Sequence, residues 1–437
     1  MEGNDELIDQ IRASIRRRGP VPFAWFMEQA LYHPEHGYYS SGRCAIGRRG
    51  DYFTSVSVGP LFGKLMAGQF VEIWETLGRP DDFVIVEQGA HHGEFATDVL
   101  EGLREQSPDL FAMVRYRIVE PFAILRQRQQ GVLRAFAERV EWVDSLEAME
   151  PFCGVHFSNE LLDAMPVHLL VATGEGEERR WCERLVERTS CGFTFVDRPI
   201  SDARLAARLT KLPPLPEVGY ETEINLAALD WIEALAGKLQ RGVVLTADYG
   251  LPRGEFYAPS RRTGTLQCYA DHRVLPSILE QVGQSDLTTH VEWTSLVEQA
   301  EKCGLRLAGF TDQHHFLTGL LSTHAALASA GAEKSRALQT LIHPEFLGTK
   351  FQFLGLTKNF PPAGSLGGFK YGRDPRPALG LQEWGKGLGF PLEPQPARIK
   401  GEQVHEQHRD REIGEVDREQ NGNLQNRHRQ PDDHSSR

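Results

Sequence analysis

The sequence lacks a long apolar run and lacks paired cysteines. No stretch reaches the roughly 18 consecutive apolar residues that a membrane-spanning helix needs. The six cysteines are scattered, without a CxxC pair or a cysteine–histidine spacing, which argues against a zinc site and a disulfide framework. The first residues are acidic where a secretory signal peptide is apolar. We therefore expect reduced thiols, no membrane insertion and a cytoplasmic location.

Excess positive charge and several catalytic motifs are also missing. The chain has 48 basic and 60 acidic residues, a formal net charge of −12, which argues against broad electrostatic binding of nucleic acid. The absence of GxSxG, Walker A and HExxH motifs removes several hydrolase and nucleotidase classes. Neighbouring histidines at 91–92 and 314–315 are not expected to converge on one ion, so we predict no metal site.

What is present is a strand, a glycine turn and a helix around residue 90. Residues 83–86 are apolar enough for a buried strand, and apolar residues recur at helical spacing from Phe95. Glu87 ends the strand, and Gly89 and Gly93 let the backbone of the turn approach a ligand. The pattern predicts a nucleotide-cofactor pocket, and a purely structural turn is the alternative.

Further polar residues follow other predicted strands. Glu120 ends a strand about thirty residues beyond the turn, the spacing of one βαβ unit, so it can accept hydrogen bonds from a ribose. Asn159, Glu160 and Asp163 follow the strand at 154–157 and are expected at the same sheet edge as Glu87. The alternatives are a solvated glutamate at 120 and a helix cap at 163.

Alternating strand and helix patterns predict an α/β fold with a mainly parallel sheet. Residues 1–78 form a helical N-terminal cap and residues 79–358 the core. A β-rich and helical insertion at about 167–240 interrupts the core on the substrate side. Residues 359–437 are polar and rich in proline and glycine, which predicts a disordered tail. Core strands are predicted at 83–89, 116–120, 138–143, 154–158, 242–248, 305–310 and 351–357.

Several short motifs occur in a fixed order: Gly19-Pro20, His33-Pro34-Glu35-His36-Gly37-Tyr38-Tyr39, residues 50–55, residues 159–167, Asp248-Tyr249-Gly250, residues 264–267 and residues 286–291. From about residue 7 to 358 this series resembles the MidA, or complex I assembly factor 7, family of S-adenosylmethionine-dependent methyltransferases. The resemblance implies a class I methyltransferase core, Rossmann-like, with a seven-stranded mainly parallel sheet. It also implies S-adenosylmethionine as cofactor and a protein substrate methylated on arginine. Whether the chain forms a homodimer stays open.

The resemblance also implies a role for individual residues. Those implied to bind the cofactor are the loop residues Glu87, Gly89 and Gly93, the ribose acid Glu120, Asp144 and Ser145 near the adenine, and Gly50, Asp51 and Thr54 in a cap loop. Those implied to lie beside the transferred methyl group are Asn159, Glu160 and Asp163. For a substrate arginine, Glu160 is the first candidate to hold the guanidinium group, and Glu221 and Glu223 are weaker candidates.

Two departures from the family pattern define the rival hypothesis. His91 replaces the middle glycine of the cofactor loop, and Val56-Ser57 replaces a Pro-Glu pair in the cap loop. The rival is a binding or assembly factor that keeps the methyltransferase fold without turnover. A nicotinamide-dependent oxidoreductase is a third hypothesis, but the loop lacks the GxGxxG spacing.

Overall fold

The structure is a computed structural model that describes residues 3–42, 54–214, 217–270, 273–323, 332–361 and 366–381. Gly50 and Asp51 of the predicted cap loop lie outside these residues, as does the predicted tail from residue 382. Within the described ranges, no helix has the length and apolar character needed to cross a bilayer.

Strands and helices alternate through the middle of the chain, as the sequence patterns predict. The strands are β1 Val21–Pro22, β2 Phe83–Gln88, β3 Arg115–Val119, β4 Val140–Val143, β5 Phe152–Asn159, β6 His168–Thr173, β7 Arg180–Arg188, β8 Phe193–Pro199, β9 Glu221–Ile224, β10 Leu239–Asp248, β11 Gly250–Leu251, β12 Gln267–Ala270, β13 Arg273–Val274, β14 Asp286–Thr288, β15 Val291–Glu292, β16 Arg306–Asp312 and β17 Gln352–Lys358. The helices are α1 Asp5–Arg18, α2 Phe23–Tyr32, α3 Leu61–Thr76, α4 Glu94–Gln106, α5 Pro108–Met113, α6 Ala123–Val132, α7 Ala203–Arg208, α8 Leu226–Lys238, α9 Arg253–Phe256, α10 Trp293–Lys302, α11 Gln313–Thr323, α12 Ala332–Ile342 and α13 Pro375–Ala378.

A seven-stranded sheet in the order β16-β17-β10-β5-β2-β3-β4 forms the centre of the fold. Strands β10, β5, β2, β3 and β4 run parallel, and β17 runs antiparallel to both of its neighbours. The predicted α/β fold of a class I methyltransferase is therefore confirmed. Because β2, β3, β5 and β10 are parallel, the side chains that follow them meet at one edge of the sheet.

Helices cover both faces of this sheet. One core contains Phe62, Val99 and Phe316 from α3, α4 and α11, together with Ile85 and Phe157 of the sheet. The other contains residues from α8 and α10, among them Ile232, Leu235 and Val297. All of these side chains are buried, and burial of each stabilises the fold by about 1.5–3 kcal/mol.

The insertion is shorter than the sequence patterns predict. Strands β6, β7, β8 and β9 form a separate five-stranded sheet with the two-residue β1, which pairs with β7. Helix α8 falls inside the predicted range of 167–240, yet its apolar face packs against Val84 and Val244 of the central sheet. The helix therefore belongs to the core, and the inserted β-structure ends at Ile224.

The predicted polar tail begins too early at residue 359. Within residues 366–381, Leu366 and Phe369 are buried in the core, and the Phe369 ring lies 5.1 Å from that of Phe316. Leu379 and Leu381 are buried against the opposite face of the sheet. The prediction of disorder is wrong for this segment, because its four large apolar residues give a mostly polar stretch enough buried surface to order it.

His156 of β5 predicts a pH dependence of stability. Its side chain is fully buried, and neither ring nitrogen has a hydrogen-bond partner among the described residues. Burial lowers the pKa of His156 from 6.5 to about 3, so between these values the unfolded chain binds a proton that the folded chain does not. Relative to pH 7, His156 should therefore cost about 2 kcal/mol of unfolding free energy at ~pH 5.

The variant His156→Leu tests this contribution. The free energy of unfolding of both proteins is measured by chemical denaturation at ~pH 7 and ~pH 5. Between these pH values it should fall by about 2 kcal/mol more in the wild type than in the variant. Other titrating groups are shared and cancel in the comparison. Parallel pH profiles for the two proteins would show that His156 is not held neutral in the folded state.

Candidate active site

A cavity of about 770 Å³ lies at the carboxyl edge of β2, β3 and β5. The predicted site residues that line it are Thr54, Glu87, Gly89, Glu120, Asn159 and Glu160. These residues come from three parallel strands and from the segment that precedes α3. The fold thus brings together acids that are separated by more than seventy positions, from 87 to 160, in the sequence.

The loop between β2 and α4 turns tightly at two glycines. Gly89 and Gly93 have φ values of 81° and 92°, in the left-handed region that glycine adopts without a Cβ penalty. A Cβ on Gly93 would lie 3.2 Å from Leu133 Cδ1, so this glycine allows close packing behind the loop, although it does not line the cavity. His91 also has a positive φ of 44°, which histidine tolerates better than a branched residue.

Glu87 is a buried carboxyl group at the end of β2 that faces the cavity. The Tyr116 hydroxyl donates a hydrogen bond of 2.6 Å to its Oε2. Desolvation raises the pKa of Glu87 to about 8, against the opposing effect of the Tyr116 bond, and the charge of Glu94 raises it further. A cation in the cavity would favour the ionised form.

Glu120 is held by two hydrogen bonds at the end of β3. The backbone N–H of Phe122 donates to its Oε1 at 3.0 Å, and Gln129 Nε2 donates to its Oε2 at 2.9 Å. Gln129 Nε2 also lies 2.9 Å from the carbonyl oxygen of His91. Gln129 therefore joins the second acid to the glycine loop, a role for which the sequence offers no local signal.

Glu160 lies at the end of β5 in a left-handed conformation with φ 51°. Asn159 Nδ2 donates to Glu160 Oε1 at 2.8 Å, and the Glu160 backbone N–H donates to the Ala247 carbonyl at 2.9 Å. Desolvation and the charge of Asp248 raise the pKa of Glu160 well above its usual value. Positive φ in a non-glycine residue is costly, so the structure around Glu160 fixes where its carboxyl group points.

Asp163 is buried beside Glu160 but does not line the cavity. Its Oδ1 atom has no hydrogen-bond partner among the described residues. Desolvation and the charges of Asp248 and Glu160 raise the pKa of Asp163 well above its usual value. No helix begins at residue 163, so the alternative of a helix cap is wrong.

Asp248 supports this segment from β10. Its Oδ2 accepts hydrogen bonds from the backbone N–H groups of Leu161 at 3.1 Å and Leu162 at 2.8 Å. Desolvation raises the pKa of Asp248 to about 7, and these hydrogen bonds limit the rise. A fourth acid, Asp286, accepts a 2.6 Å hydrogen bond from the Tyr39 hydroxyl. Four carboxyl groups (Glu160, Asp163, Asp248 and Asp286) thus interact electrostatically, with Glu160 lining the cavity, and we call them the acidic floor.

Several predicted residues lie away from the cavity lining. Asp144 forms an ion pair with Arg126, and Ser145 Oγ accepts a hydrogen bond from the Ala148 N–H. Neither residue lines the cavity. Asp144 is largely exposed.

The weaker candidates for a second substrate carboxylate also have other partners. Glu221 pairs with Arg184 at 2.6 Å. Glu223 is buried, and its Oε1 accepts hydrogen bonds from the Thr265 and Leu266 N–H groups at 2.8 and 3.0 Å. Neither glutamate lines the cavity. The carboxyl groups that interact with Glu160 are instead the other members of the acidic floor.

Two tyrosines that the sequence analysis did not select form part of the cavity wall. Tyr32 and Tyr39 stack with ring centroids 5.6 Å apart, and both line the cavity. The Tyr32 hydroxyl donates to the Ala164 carbonyl at 3.0 Å. The Gly37-Tyr38-Tyr39 motif could have indicated Tyr39 as a site residue. The hydrogen bond from Tyr39 to Asp286, however, joins distant parts of the sequence and cannot be predicted without the fold.

The cavity fits S-adenosylmethionine on the evidence of its own residues. Glu87 and Glu120 follow adjacent parallel strands, where carboxylates can accept hydrogen bonds from an ammonium group and from ribose hydroxyls. Gly89 lines the cavity with a left-handed φ of 81°, so the loop turns there without the strain that a side chain would add. Burial raises the pKa of Glu87, and a positively charged ligand group such as an ammonium would stabilise its ionised form.

Comparisons with known proteins agree with this geometry. The chain is 32% identical to a Burkholderia thailandensis protein whose crystal structure contains S-adenosyl-homocysteine, with a TM-score of 0.76 over 84% of this chain and 95% of that one. It is 28% identical to the protein arginine methyltransferase NDUFAF7 homolog, mitochondrial, of Drosophila melanogaster, over 81% of this chain and 85% of the relative. The human protein arginine methyltransferase NDUFAF7, mitochondrial, is 24% identical, over 85% and 86% of the two chains.

The same relatives overturn one prediction. The lack of an apolar N-terminal segment predicts a cytoplasmic location, whereas the relatives from fly, human and zebrafish are all named as mitochondrial. The cytoplasmic prediction is contradicted by these names. It rested on the lack of an apolar signal peptide, a feature that tests for secretion alone.

The family itself is established by a match over more than half of the chain. The family model for S-adenosyl-L-methionine-dependent methyltransferases matches residues 65–311, from α3 through the last predicted site residues to β16. The acids at the ends of β2, β3 and β5 all fall within this range. The chain therefore belongs to this family of S-adenosyl-L-methionine-dependent methyltransferases.

Proposed function

We propose that this methyltransferase transfers a methyl group to an arginine side chain of a protein substrate. The observation that carries the proposal is the acidic floor, in which Glu160 lines the cofactor cavity and the buried Asp163 interacts electrostatically with it. A guanidinium group is a planar cation with five N–H donors, and carboxylates bind it through paired hydrogen bonds. The names of the curated relatives support the same substrate class.

The cavity wall suits such a cation. Tyr32 and Tyr39, whose rings stack on each other, line the same cavity as Glu160, and contact with an aromatic ring stabilises a guanidinium group by about 0.5–2 kcal/mol. Among the described residues, Asp163 Oδ1 has no hydrogen-bond partner, so a cation bound at Glu160 would offset a negative charge that is otherwise poorly compensated. A bound cation would lower the raised pKa values of both carboxyl groups and so hold them in their ionised form.

The residues act mainly by positioning. When bound, S-adenosylmethionine would supply an activated methyl group, whose bond to the sulfonium sulfur would break as the substrate nitrogen attacks in line, with S-adenosyl-homocysteine as the leaving group and no covalent enzyme intermediate. Glu160, which lines the cavity, holds two guanidinium nitrogens through its two carboxylate oxygens and leaves the third aimed at the methyl group, and the buried Asp163 adds negative charge beside it. Because the pKa of Glu160 is raised, its carboxylate can also accept the proton that the nitrogen loses. Asn159 orients Glu160 through its 2.8 Å hydrogen bond.

We assign cofactor binding to the residues at the β2 and β3 ends. In this proposal Glu87 accepts hydrogen bonds from the cofactor ammonium group and Glu120 from its ribose. Gly89 and Gly93 shape the loop, and Thr54 closes the cavity from the segment before α3. Asp144 and Ser145 receive no role, since neither lines the cavity.

Cofactor binding should depend on pH through Glu87. The carboxyl group is neutral below about pH 8 in the free protein, but its ionised form is the better partner for an ammonium group. The affinity for S-adenosyl-homocysteine should therefore fall up to about tenfold per pH unit below pH 8. Calorimetry near neutral pH, in buffers of different ionisation enthalpy, should record close to one proton released per ligand bound.

The matched variant for this test is Glu87→Gln. It should bind more weakly, lose most of the pH dependence between pH 6 and 8, and release fewer protons than the wild type. Proton release that is identical in the two proteins would assign the linkage to another group and contradict this role for Glu87.

Methyl transfer to arginine is tested by product analysis. The purified protein is incubated with S-adenosylmethionine labelled in its methyl group and with a cell lysate, and labelled proteins are hydrolysed to amino acids. The proposal predicts label in methylarginine. Label in another amino acid would contradict the substrate class, and no label despite cofactor binding would favour the non-catalytic binding factor.

A further inference from the structure

Three potential metal ligands lie together on the cofactor loop. His91, His92 and Glu94, which we call the loop triad, each offer one ligand atom, and the three atoms lie within 4.8 Å of one another. The two imidazole rings stack with centroids 3.7 Å apart, and His92 Nδ1 lies 3.7 Å from Glu94 Oε1. All three residues line the cavity. The triad thus forms part of the wall that faces the cofactor.

The backbone explains how neighbouring histidines come together. His91 has a left-handed φ of 44°, and Gly93 follows with a φ of 92°. This turn places both imidazoles on one side of the loop, and Glu94 begins α4 beside them. The expectation that residues 91 and 92 cannot converge assumed an ordinary backbone conformation, and it is wrong for this loop.

We propose that the loop triad binds a divalent transition-metal ion such as Zn²⁺, with solvent completing the coordination. Two imidazole nitrogens and one carboxylate oxygen are a donor set that zinc accepts. Ligand atoms on a tetrahedral zinc ion lie about 3.3 Å apart, given bond lengths of about 2.0 Å. Side-chain rotations can bring the loop triad from its present spacing to this distance, because Glu94 is half exposed and His92 is partly exposed.

Arg128 limits the strength of this site. Its Nη1 lies 3.3 Å from His92 Nε2. When His92 Nδ1 ligates a metal, the neutral ring carries its proton on Nε2, which then repels the guanidinium donor. The guanidinium charge also opposes a cation nearby. Arg128 must therefore move aside, and its removal should strengthen metal binding.

Metal and cofactor should compete for the cavity. The loop triad shares the cavity with Glu87, which the proposed function assigns to the cofactor ammonium group. A divalent ion would occupy space in the wall and repel the sulfonium and ammonium charges. This competition rests on the proposed function, whereas the metal site itself does not.

Zinc titration of the full-length protein tests the site. With a chromophoric indicator as competitor, the wild type should bind one more equivalent of Zn²⁺ than His92→Ala and than Glu94→Gln. The variant His314→Ala belongs to the other neighbouring histidine pair, where His314 Nδ1 bonds the Ile342 carbonyl, and it should match the wild type. Arg128→Gln should bind the same equivalent at least about threefold more tightly.

The readout is zinc stoichiometry, so its outcome is separate from methyl transfer. Circular dichroism confirms that each variant is folded, and the two single variants remove different ligands. Equal stoichiometry in the wild type and both loop variants would overturn the metal site. Addition of one equivalent of Zn²⁺ should raise the Kd for S-adenosyl-homocysteine at least about tenfold in the wild type, whereas the Kd of His92→Ala should be the same with and without Zn²⁺. An unchanged Kd in the loaded wild type would overturn the competition.

Discussion

Replacement of Glu160 by glutamine is expected to slow methyl transfer by about 10²- to 10³-fold and to leave S-adenosyl-homocysteine binding within about twofold of the wild type. The amide keeps the shape of the side chain but cannot carry the charge that holds a guanidinium cation or accept its proton. The left-handed backbone at Glu160 and the hydrogen bond from Asn159 fix the group at the cavity floor. Initial rates with a labelled methyl donor, together with calorimetry, measure both effects.

The control for this variant is Glu221→Gln. Glu221 lies outside the cavity lining and pairs with Arg184, so its replacement should leave the rate of transfer unchanged. If Glu160→Gln retained a wild-type rate, the acidic floor would have no part in transfer. A loss of cofactor binding equal to the loss of rate would assign Glu160 to the cofactor.

Replacement of Gly154 by alanine is expected to destabilise the protein by more than about 4 kcal/mol and to prevent recovery of folded protein. Gly154 lies in β5 at the centre of the sheet with a φ of 148°, and an added Cβ would lie 2.0 Å from the Val84 carbonyl oxygen. No side-chain rotation relieves a clash between a Cβ and backbone. Strands β2 and β5, which carry Glu87 and Glu160, would have to separate.

Gly237→Ala provides the matched control. Gly237 lies in α8, and an added Cβ would have no neighbour within 4 Å. Alanine has the higher helix propensity, so this change should stabilise the protein by up to about 1 kcal/mol. Urea denaturation and the yield of soluble protein measure both variants. A Gly154→Ala protein that unfolds with a wild-type midpoint would show that the sheet can widen at this position.

Much of the architecture could be predicted from the sequence, because buried parallel strands have a strong local signature. The apolar runs before Glu87 and Glu120 and before Asn159 correspond to β2, β3 and β5. An acid that follows such a run must lie at the carboxyl edge of the sheet. This rule needs no long-range information, and it located Glu87, Glu120 and Glu160, whereas Glu94 and Asp98 of α4 also line the cavity and follow no strand.

Other features depend on contacts that local patterns do not contain. Asp144 also follows a strand, yet its carboxylate pairs with Arg126 outside the cavity lining. Glu223 has the chemistry of a substrate ligand, but the backbone of residues 265 and 266 takes up its hydrogen bonds. Phe369 lies in a polar stretch and is buried only because the core leaves a place beside Phe316. In each case the partner is distant in sequence, and the fold has to be known first.

The most direct test of the account is a calorimetric titration of S-adenosylmethionine into the purified full-length protein. We expect saturable binding of one equivalent to the wild type, weakened at least about tenfold by Glu120→Ala, because the carboxylate of Glu120 is assigned to the ribose. His91→Gly should keep the binding, since glycine adopts the left-handed conformation of residue 91 without strain. No binding by the wild type, or equal affinity in the Glu120→Ala variant, would contradict the assignment of this cavity to the cofactor.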